Sequence, residues 1–198
     1  YYYDLTILSK VARLLTEKKD AEKYTSLSDE VKEAYNKTFF HKDTKQYGSG
    51  SQTSNAISVF MGLENPADKK QVVDNIVKDI RQHNDGVTAG DIGFRYLLRV
   101  LDQEGRSDVL YDLNSRSDVP GDGYQLAHGA PSLTGALQAN RISSNTNFIL
   151  GHLMEWLYSG LAGISQEERS VAFKQVKIRP QPVGNITWAK ATFHSPYG

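Results

Sequence analysis

The chain has 198 residues, enough for one domain with a sizeable core. Its 23 Lys and Arg residues balance 23 Asp and Glu residues, so no net charge draws it toward nucleic acid or an acidic surface. It contains no Cys, which excludes disulfides and thiolate metal sites. No apolar run approaches the roughly 18 residues that a membrane span requires, and no signal peptide is recognisable.

Apolar residues at helical spacing predict a series of helices. The first runs from the start to about Thr16, and the second is predicted to begin at Ser26 or Ser28, because Ser followed by acidic residues is a typical helix start. Asn65 followed by Pro66 predicts another start, since Pro is favoured at the first helical position. Further apolar stripes cover residues 53–60, 72–80, 92–101, 109–113, 133–139 and 148–157.

The composition becomes β-like from Val171. Residues 171–178 and 186–193 flank a turn at 180–184 and predict one β-hairpin. No strand pattern precedes any helix, which argues against a parallel α/β fold. Short and long connections alternate, as in stacked helical hairpins whose longer loops gather on one face. The pattern predicts a mainly α chain, part of an α/α toroid, followed by a short C-terminal β-hairpin.

Residues 120–158 join a Gly-rich loop to an apolar helix. A long ordered loop that leads into a buried helix is a common pocket floor, although a connecting loop without a ligand fits this stretch equally well. His152 and Trp156 are predicted to be buried in the helix core rather than to bind a ligand. The five His residues are too scattered for a metal site, so no metal is predicted.

Short motifs that recur in a fixed order carry a family resemblance. They are YYYDL (1–5), GSQT (50–53), TAGDIG (88–93), YQLAHGA (124–130), LGH (150–152), EWLY (155–158) and LAGI (161–164). Together they resemble the C-terminal half of the catalytic barrel of bacterial α-L-rhamnosidases, glycoside hydrolase family 78. IRP (178–180), TWAKA (187–191) and SPYG (195–198) are similar to that family's exit into its last β-domain.

The resemblance implies part of an (α/α)6 barrel in residues 1–164 and the start of a C-terminal β-domain in residues 165–198. It implies inverting hydrolysis of terminal α-L-rhamnosyl linkages without a cofactor, and rhamnose-containing glycans or glycosides as partners. The family's general acid lies on an earlier segment, and this chain begins inside a helical pattern rather than at Met. We therefore expect a piece of a longer bacterial protein, periplasmic or secreted, that is inert alone.

The family's second carboxylate corresponds to residues 129–137, which read GAPSLTGAL where the family pattern is close to GAT(T/S)LTEAW. The resemblance thus places Gly135 at the water-activating Glu, Leu137 at a pocket Trp and Asn147 at a pocket His. Glycine has no side chain that could deprotonate water. Either the barrel is a degenerate, non-hydrolytic carbohydrate-binding or structural relative, or its chemistry has moved to other groups.

Four residues are candidates for such a relocated base. Asp91 is more simply a helix cap, and Glu155 is more simply solvated. Asp122 is either a turn residue or a functional carboxylate, and His128 either contacts the ligand or makes a structural hydrogen bond. Asp122 and His128 are retained as possible catalytic groups. The candidate sugar contacts are an amide, an aromatic ring, the same imidazole and a second amide, namely Gln52, Tyr124, His128 and Asn147.

Part of a barrel is expected to expose the apolar stripes that the missing helices would cover. These stripes lie on the first helix and on residues 148–157. We therefore predict self-association through these faces or a refolded packing.

Overall fold

In a computed structural model, residues 1–130, 151–167 and 170–198 are described. The predicted helix at 133–139 and the first residues of the predicted helix at 148–157 lie outside these ranges. The described helices are α1 (Tyr2–Leu14), α2 (Lys18–Phe39), α3 (Gln52–Phe60), α4 (Pro66–Gln82), α5 (Gly90–Gln103), α6 (Ser107–Ser115), α7 (Asp122–Ala127) and α8 (Leu153–Trp156). A π-helical turn (Leu157–Leu161) continues α8, and the strands are β1 (Phe40–His41), β2 (Gln46–Tyr47), β3 (Ile164–Gln166) and β4 (Val176–Ile178).

The helices pack as consecutive hairpins: α1 with α2, α3 with α4, and α5 with α6. Helix α5 lies between α3 and α8. One buried cluster joins α3 to α6 and includes Ile76, Phe94, Leu97, Leu110 and Trp156. Among the described residues, no helix is long and apolar enough to cross a bilayer.

The predicted start of the second helix is wrong, because α2 begins at Lys18 rather than at Ser26 or Ser28. Ser28 is buried, and its hydroxyl donates to the Thr25 carbonyl at 2.8 Å. Across the hairpin, the Ser9 and Thr25 hydroxyls are 2.7 Å apart. The Ser9 and Thr25 hydroxyls thus lie at the contact between α1 and α2, and the Ser28 hydroxyl bonds within α2 rather than capping a helix.

Local start signals succeed elsewhere. Pro66 is the first residue of α4, as predicted. Helix α5 begins at Gly90, and Asp91 lies exposed in its first turn without capping it, which corrects the predicted cap. At the start of α3, the Ser51 side chain accepts a hydrogen bond from the Ser54 backbone N–H at 3.1 Å.

Two short antiparallel hairpins complete the fold. The first, β1 with β2, was not predicted; its Tyr47 N–H donates to Asn55 Oδ1 at 2.8 Å, which holds the hairpin on α3. The second contains β4, inside the predicted strand at 171–178. Its partner is β3, with Ile164 opposite Ile178. The predicted pairing with residues 186–193 is wrong, since no strand occurs there.

Helix α1 leaves one apolar face exposed, as predicted for a partial barrel. Its exposed residues recur every three or four positions, with Leu14 83% exposed. The stripe comprises Tyr3, Ile7, Val11 and Leu14, flanked by Leu8 and Leu15. Helix α8 is mixed: Trp156 is buried as predicted, Met154 is exposed, and His152 is half-buried rather than in the core.

Candidate functional site

The predicted loop after residue 120 contains a short helix, α7, pressed against the end of α6. A Cβ on Gly123 would lie 2.4 Å from the Arg116 carbonyl oxygen and 2.7 Å from that of Asn114. A Cβ on Gly121 would lie 3.0 Å from the Leu113 carbonyl oxygen. The two glycines around Asp122 are therefore close-packing positions that hold α7 on α6.

Asp122 is the first residue of α7, and only 9% of its surface is exposed. Both carboxylate oxygens are buried, and neither has a hydrogen-bond partner among the described residues. Burial disfavours the charged form and raises the pKa of Asp122 to about 6. A buried, unpaired carboxyl that titrates this close to neutrality is the type of group that functional sites contain.

Tyr124 and His128 form a stacked pair on α7, with ring centroids 3.8 Å apart and ring planes at 21°. The His128 Nδ1 is 2.9 Å from the Tyr124 carbonyl oxygen. Because a carbonyl only accepts, Nδ1 carries the hydrogen, and Nε2 of the neutral ring keeps a lone pair. His128 is exposed, so this lone pair is available to solvent or to a ligand.

Asp122 and His128 lie at opposite ends of α7. His128 directly follows α7 and is six positions from Asp122, or about 9 Å along the helix axis. They are therefore two independent candidates, not a hydrogen-bonded acid–base pair.

Gln52 is completely buried at the start of α3. Its Nε2 donates to the Gly86 carbonyl at 3.3 Å, and its Oε1 accepts from the Thr88 N–H at 3.0 Å. Both ends of the amide thus fix the loop before α5. A sugar contact through Gln52 stays a prediction, and it would have to share these bonds.

The remaining predicted positions are dispersed or lie outside the described ranges. Asn147, Gly135 and Leu137 belong to the stretch 131–150, which is outside those ranges. Glu155 is not simply solvated, since it forms an ion pair with Arg99 of α5. Within residues 1–130, 151–167 and 170–198, no three His, Asp or Glu residues are grouped to hold a metal.

A partly buried polar network between the helices and the C-terminal residues was not predicted. The Ser107 hydroxyl donates to Gln181 Oε1 at 2.8 Å and accepts from the Trp156 indole at 2.9 Å. Asp102 accepts from Ser159 at 2.7 Å and from Gln181 at 3.3 Å. Residues 102 and 181 are 79 positions apart, so local sequence carries no signal of their contact.

Two family models cover almost the whole chain. Residues 1–161 match the bacterial alpha-L-rhamnosidase 6 hairpin glycosidase domain. The chain belongs to the bacterial α-L-rhamnosidase family. Residues 163–198 match the C-terminal domain of the same proteins.

Curated relatives in this family are much longer than this chain. The α-L-rhamnosidase of Streptomyces avermitilis is 31% identical over 197 residues, covering 94% of this chain and 19% of the relative. An α-L-rhamnosidase of Formosa agariphila is 23% identical and covers 100% of this chain and 22% of the relative. The chain thus spans about a fifth of the length of the curated relatives it matches.

Solved structures of rhamnosidases share the fold. The α-L-rhamnosidase from Dictyoglumus thermophilum superposes with a TM-score of 0.84 at 28% identity, over 93% of this chain and 21% of that one. The Streptomyces avermitilis enzyme, complexed with L-rhamnose, superposes with a TM-score of 0.83 at 25% identity. The match covers 93% of this chain and 18% of that one. These findings confirm the predicted fold class, part of an (α/α)6 barrel followed by short C-terminal strands, and the assignment to glycoside hydrolases.

Proposed function

We propose that this chain forms part of the catalytic barrel of an α-L-rhamnosidase that releases terminal α-L-rhamnosyl residues with inversion. The match of residues 1–161 to the six-hairpin glycosidase domain carries the proposal. The rhamnose complex of the Streptomyces avermitilis relative supports a carbohydrate as the partner. We place the barrel part in residues 1–164 and the start of the β-domain in residues 165–198.

Inversion requires a carboxylic acid that protonates the leaving oxygen and a base, roughly 6.5–9.5 Å away, that activates water. Gly135, at the position that resembles the family's base, has no side chain for this step. The Asp122 carboxylate could replace the missing base in activating water. A carboxyl with a pKa of about 6 is mostly ionised at neutral pH and is basic enough to accept a proton. His128 Nε2 is the second candidate.

The general acid, in this proposal, comes from a segment outside these 198 residues, so the chain alone does not turn over substrate. The test is an aryl α-L-rhamnoside assay on this chain and on a longer form that includes the rest of the barrel. Proton NMR of the first-formed sugar would identify the released anomer. We expect turnover, with inversion, from the longer form only.

Substitutions in the longer form assign the base. Asp122→Asn or His128→Gln should lower kcat by about 100-fold or more if that group activates water. Asp118→Asn is the matched control, because Asp118 is an exposed carboxylate paired with Arg116 just before α7. Full activity in both test variants would exclude the two relocated bases.

A non-hydrolytic barrel that binds carbohydrate or serves a structural role is the second candidate function. The joint replacement of three family pocket residues, at Gly135, Leu137 and Asn147, favours it. Rhamnoside binding without turnover in the longer form would support this alternative. Gly135→Glu combined with Leu137→Trp should then create turnover without a large loss of stability. A large loss would instead indicate that Gly135 is required by the backbone geometry.

A further inference from the structure

A cleft of about 740 Å³ lies between α8, β3 and the C-terminal residues. Arg99 and Glu155 form its polar edge, and Tyr158, Phe173 and Phe193 are among its apolar lining. None of the candidate residues on α7 or α3 lines it. Arg99 is nine residues along α5 from Gly90, which puts the cleft roughly 13 Å along the helix from the loop that Gln52 fixes.

The polar edge is an ion pair that remains accessible. Arg99 Nη1 donates to Glu155 Oε1, while the two side chains keep 29% and 39% of their surface exposed. Among the described residues, the other guanidinium N–H groups of Arg99 make no hydrogen bond, so the edge offers donors beside carboxylate acceptors. A vicinal diol complements such an edge, because each hydroxyl donates to the carboxylate and accepts from the guanidinium.

The cleft lining is also aromatic. The Phe173 and Phe193 rings are 4.3 Å apart at 40°, and Phe193 is 43% exposed. Tyr158 is 37% exposed and lines the same cleft. Aromatic faces of this kind pack against the C–H bonds of a pyranose ring, and Ile164 and Met154 add apolar surface for a methyl group.

Hydrogen bonds around the cleft hold its polar edge in place. The Ser159 hydroxyl, in the lining, contacts Asp102 Oδ2 at 2.7 Å and the Glu155 carbonyl at 2.8 Å. Asp102 lies on α5, close to Arg99, and Ser159 follows Glu155 by one turn. The two helices that carry the ion pair are thus joined next to it, so binding requires little reorganisation.

We propose that this cleft is a second, non-catalytic carbohydrate site that binds a 6-deoxypyranoside. Its vicinal hydroxyls meet the Arg99–Glu155 edge, and its ring and methyl group lie against Tyr158, Phe173 and Phe193. The choice of a rhamnoside as the 6-deoxy sugar rests on the proposed function. Binding at the cleft does not require turnover or the groups on α7.

The test is an NMR titration of the 198-residue chain with methyl α-L-rhamnopyranoside. We expect backbone amide shifts at Arg99, Ser159 and Phe193, with a Kd on the order of 1 mM, as for a small ligand with few contacts. The 2,3-O-isopropylidene derivative, whose diol is blocked, should bind about tenfold more weakly or worse.

Variants separate the cleft from nonspecific binding. Arg99→Met and Glu155→Gln should each weaken binding by about tenfold, since each removes one charged half of the edge. Arg95→Met is the matched control, because Arg95 is an exposed arginine on the same helix that does not line the cleft. If Arg99→Met does not fold, Glu155→Gln, which keeps the side-chain shape, decides the outcome.

Three results would overturn the proposal. The first is no amide shift at about 50 mM sugar, far above the expected Kd. The second is binding by Glu155→Gln as tight as that of the unmodified chain. The third is loss of binding in a longer form with the complete barrel, which would make the cleft a packing face for protein. Shifts confined to α7 would overturn this site while supporting the proposed function. Absence of turnover in the longer form, with binding retained at the cleft, would support this site while contradicting the proposed function.

Discussion

Two carboxyl groups shielded from solvent, Asp102 partly and Asp122 almost fully, differ in their hydrogen-bond partners. Asp102 lies at the seam, the contact between α5, α6, α8 and residues 179–185, where Ser159 and Gln181 donate to it. Asp122 lies on α7 with no hydrogen-bond partner among the described residues. Burial raises the pKa of both. At the seam, the partly buried carboxyl of Asp102 accepts two hydrogen bonds, as in a structural contact. On α7, the buried carboxyl of Asp122 has no partner among the described residues, as is typical of functional sites.

The largest expected effect comes from Gly163, which brings the seam together. Gly163 has φ of 73°, and a Cβ there would lie 2.1 Å from the Pro180 nitrogen. Gly163→Ala should lower the free energy of unfolding by more than about 3 kcal/mol, through backbone strain and overpacking. Urea denaturation measures the loss.

Gly62→Ala is the control for Gly163→Ala. Gly62 has a similar φ of 70°, but no heavy atom of the described residues lies within 4 Å of its added Cβ. Its substitution should therefore cost only the strain of the left-handed backbone, about 1 kcal/mol. Equal losses in the two variants would show that close packing of residues 179–180 is not what Gly163 provides.

The second effect is the pH dependence caused by Asp122. The folded-state pKa of about 6 exceeds the ordinary value of 3.8, so the folded state binds the proton more tightly. The free energy of unfolding should therefore fall as pH rises from about 4 to 6, with the full penalty present above that range. Asp122→Asn should remove this fall. Relative to the unmodified chain, the variant's free energy of unfolding should therefore be higher at neutral pH than at acid pH by on the order of 2–3 kcal/mol.

Urea unfolding of both proteins across this pH range measures the Asp122 effect. Asp118→Asn is the control, since Arg116 holds the pKa of that exposed carboxyl below its ordinary value. Asp118→Asn should change the pH dependence of the free energy of unfolding in the direction opposite to Asp122→Asn. The change should be weak, because solvent screens the pair of Asp118 and Arg116. A pH profile that Asp122→Asn leaves unchanged would contradict the unpaired state of Asp122.

A third, somewhat smaller effect is expected from Gln181 at the seam. Gln181→Ala removes one acceptor from Ser107 and one donor from Asp102. The loss should be about 1–3 kcal/mol, the cost of leaving buried polar groups unpaired. Gln175→Ala, at an exposed position in the C-terminal region, should change stability by less than about 0.5 kcal/mol. Urea denaturation of the Gln181→Ala and Gln175→Ala variants measures both losses. Equal stabilities of the two variants would mean that the seam does not depend on the Gln181 side chain.

The smallest effect on stability is expected on α1, where the consequence is association. Val11 and Leu14 are 43% and 83% exposed on the apolar stripe. Val11→Lys with Leu14→Lys should abolish self-association while changing the free energy of unfolding by less than about 0.5 kcal/mol per site. Sedimentation velocity measures the species present. An unmodified chain that is monomeric at high concentration would contradict this prediction.

Much of the helical framework was predictable because its signals are local. The apolar stripes of α4 and α5 and the Pro66 start all depend on residues within a few positions of one another. The failures have non-local causes. Ser26 and Ser28 resemble helix starts, but Ser28 is buried in the middle of α2. Strand β4 pairs with β3 rather than with the later segment that its composition matches.

The sequence by itself determined the family, the stacked helical hairpins and the identity of Asp122 and His128 as candidates, because ordered motifs and helical spacing are properties of the linear chain. Only the tertiary structure decided what these groups can do. It buries Asp122 without a hydrogen-bond partner among the described residues and places both ends of the Gln52 amide on backbone groups. It also pairs Glu155 with Arg99 beside an aromatic cleft. Burial and pairing depend on residues far apart in the chain, and they set the charge and availability of each group.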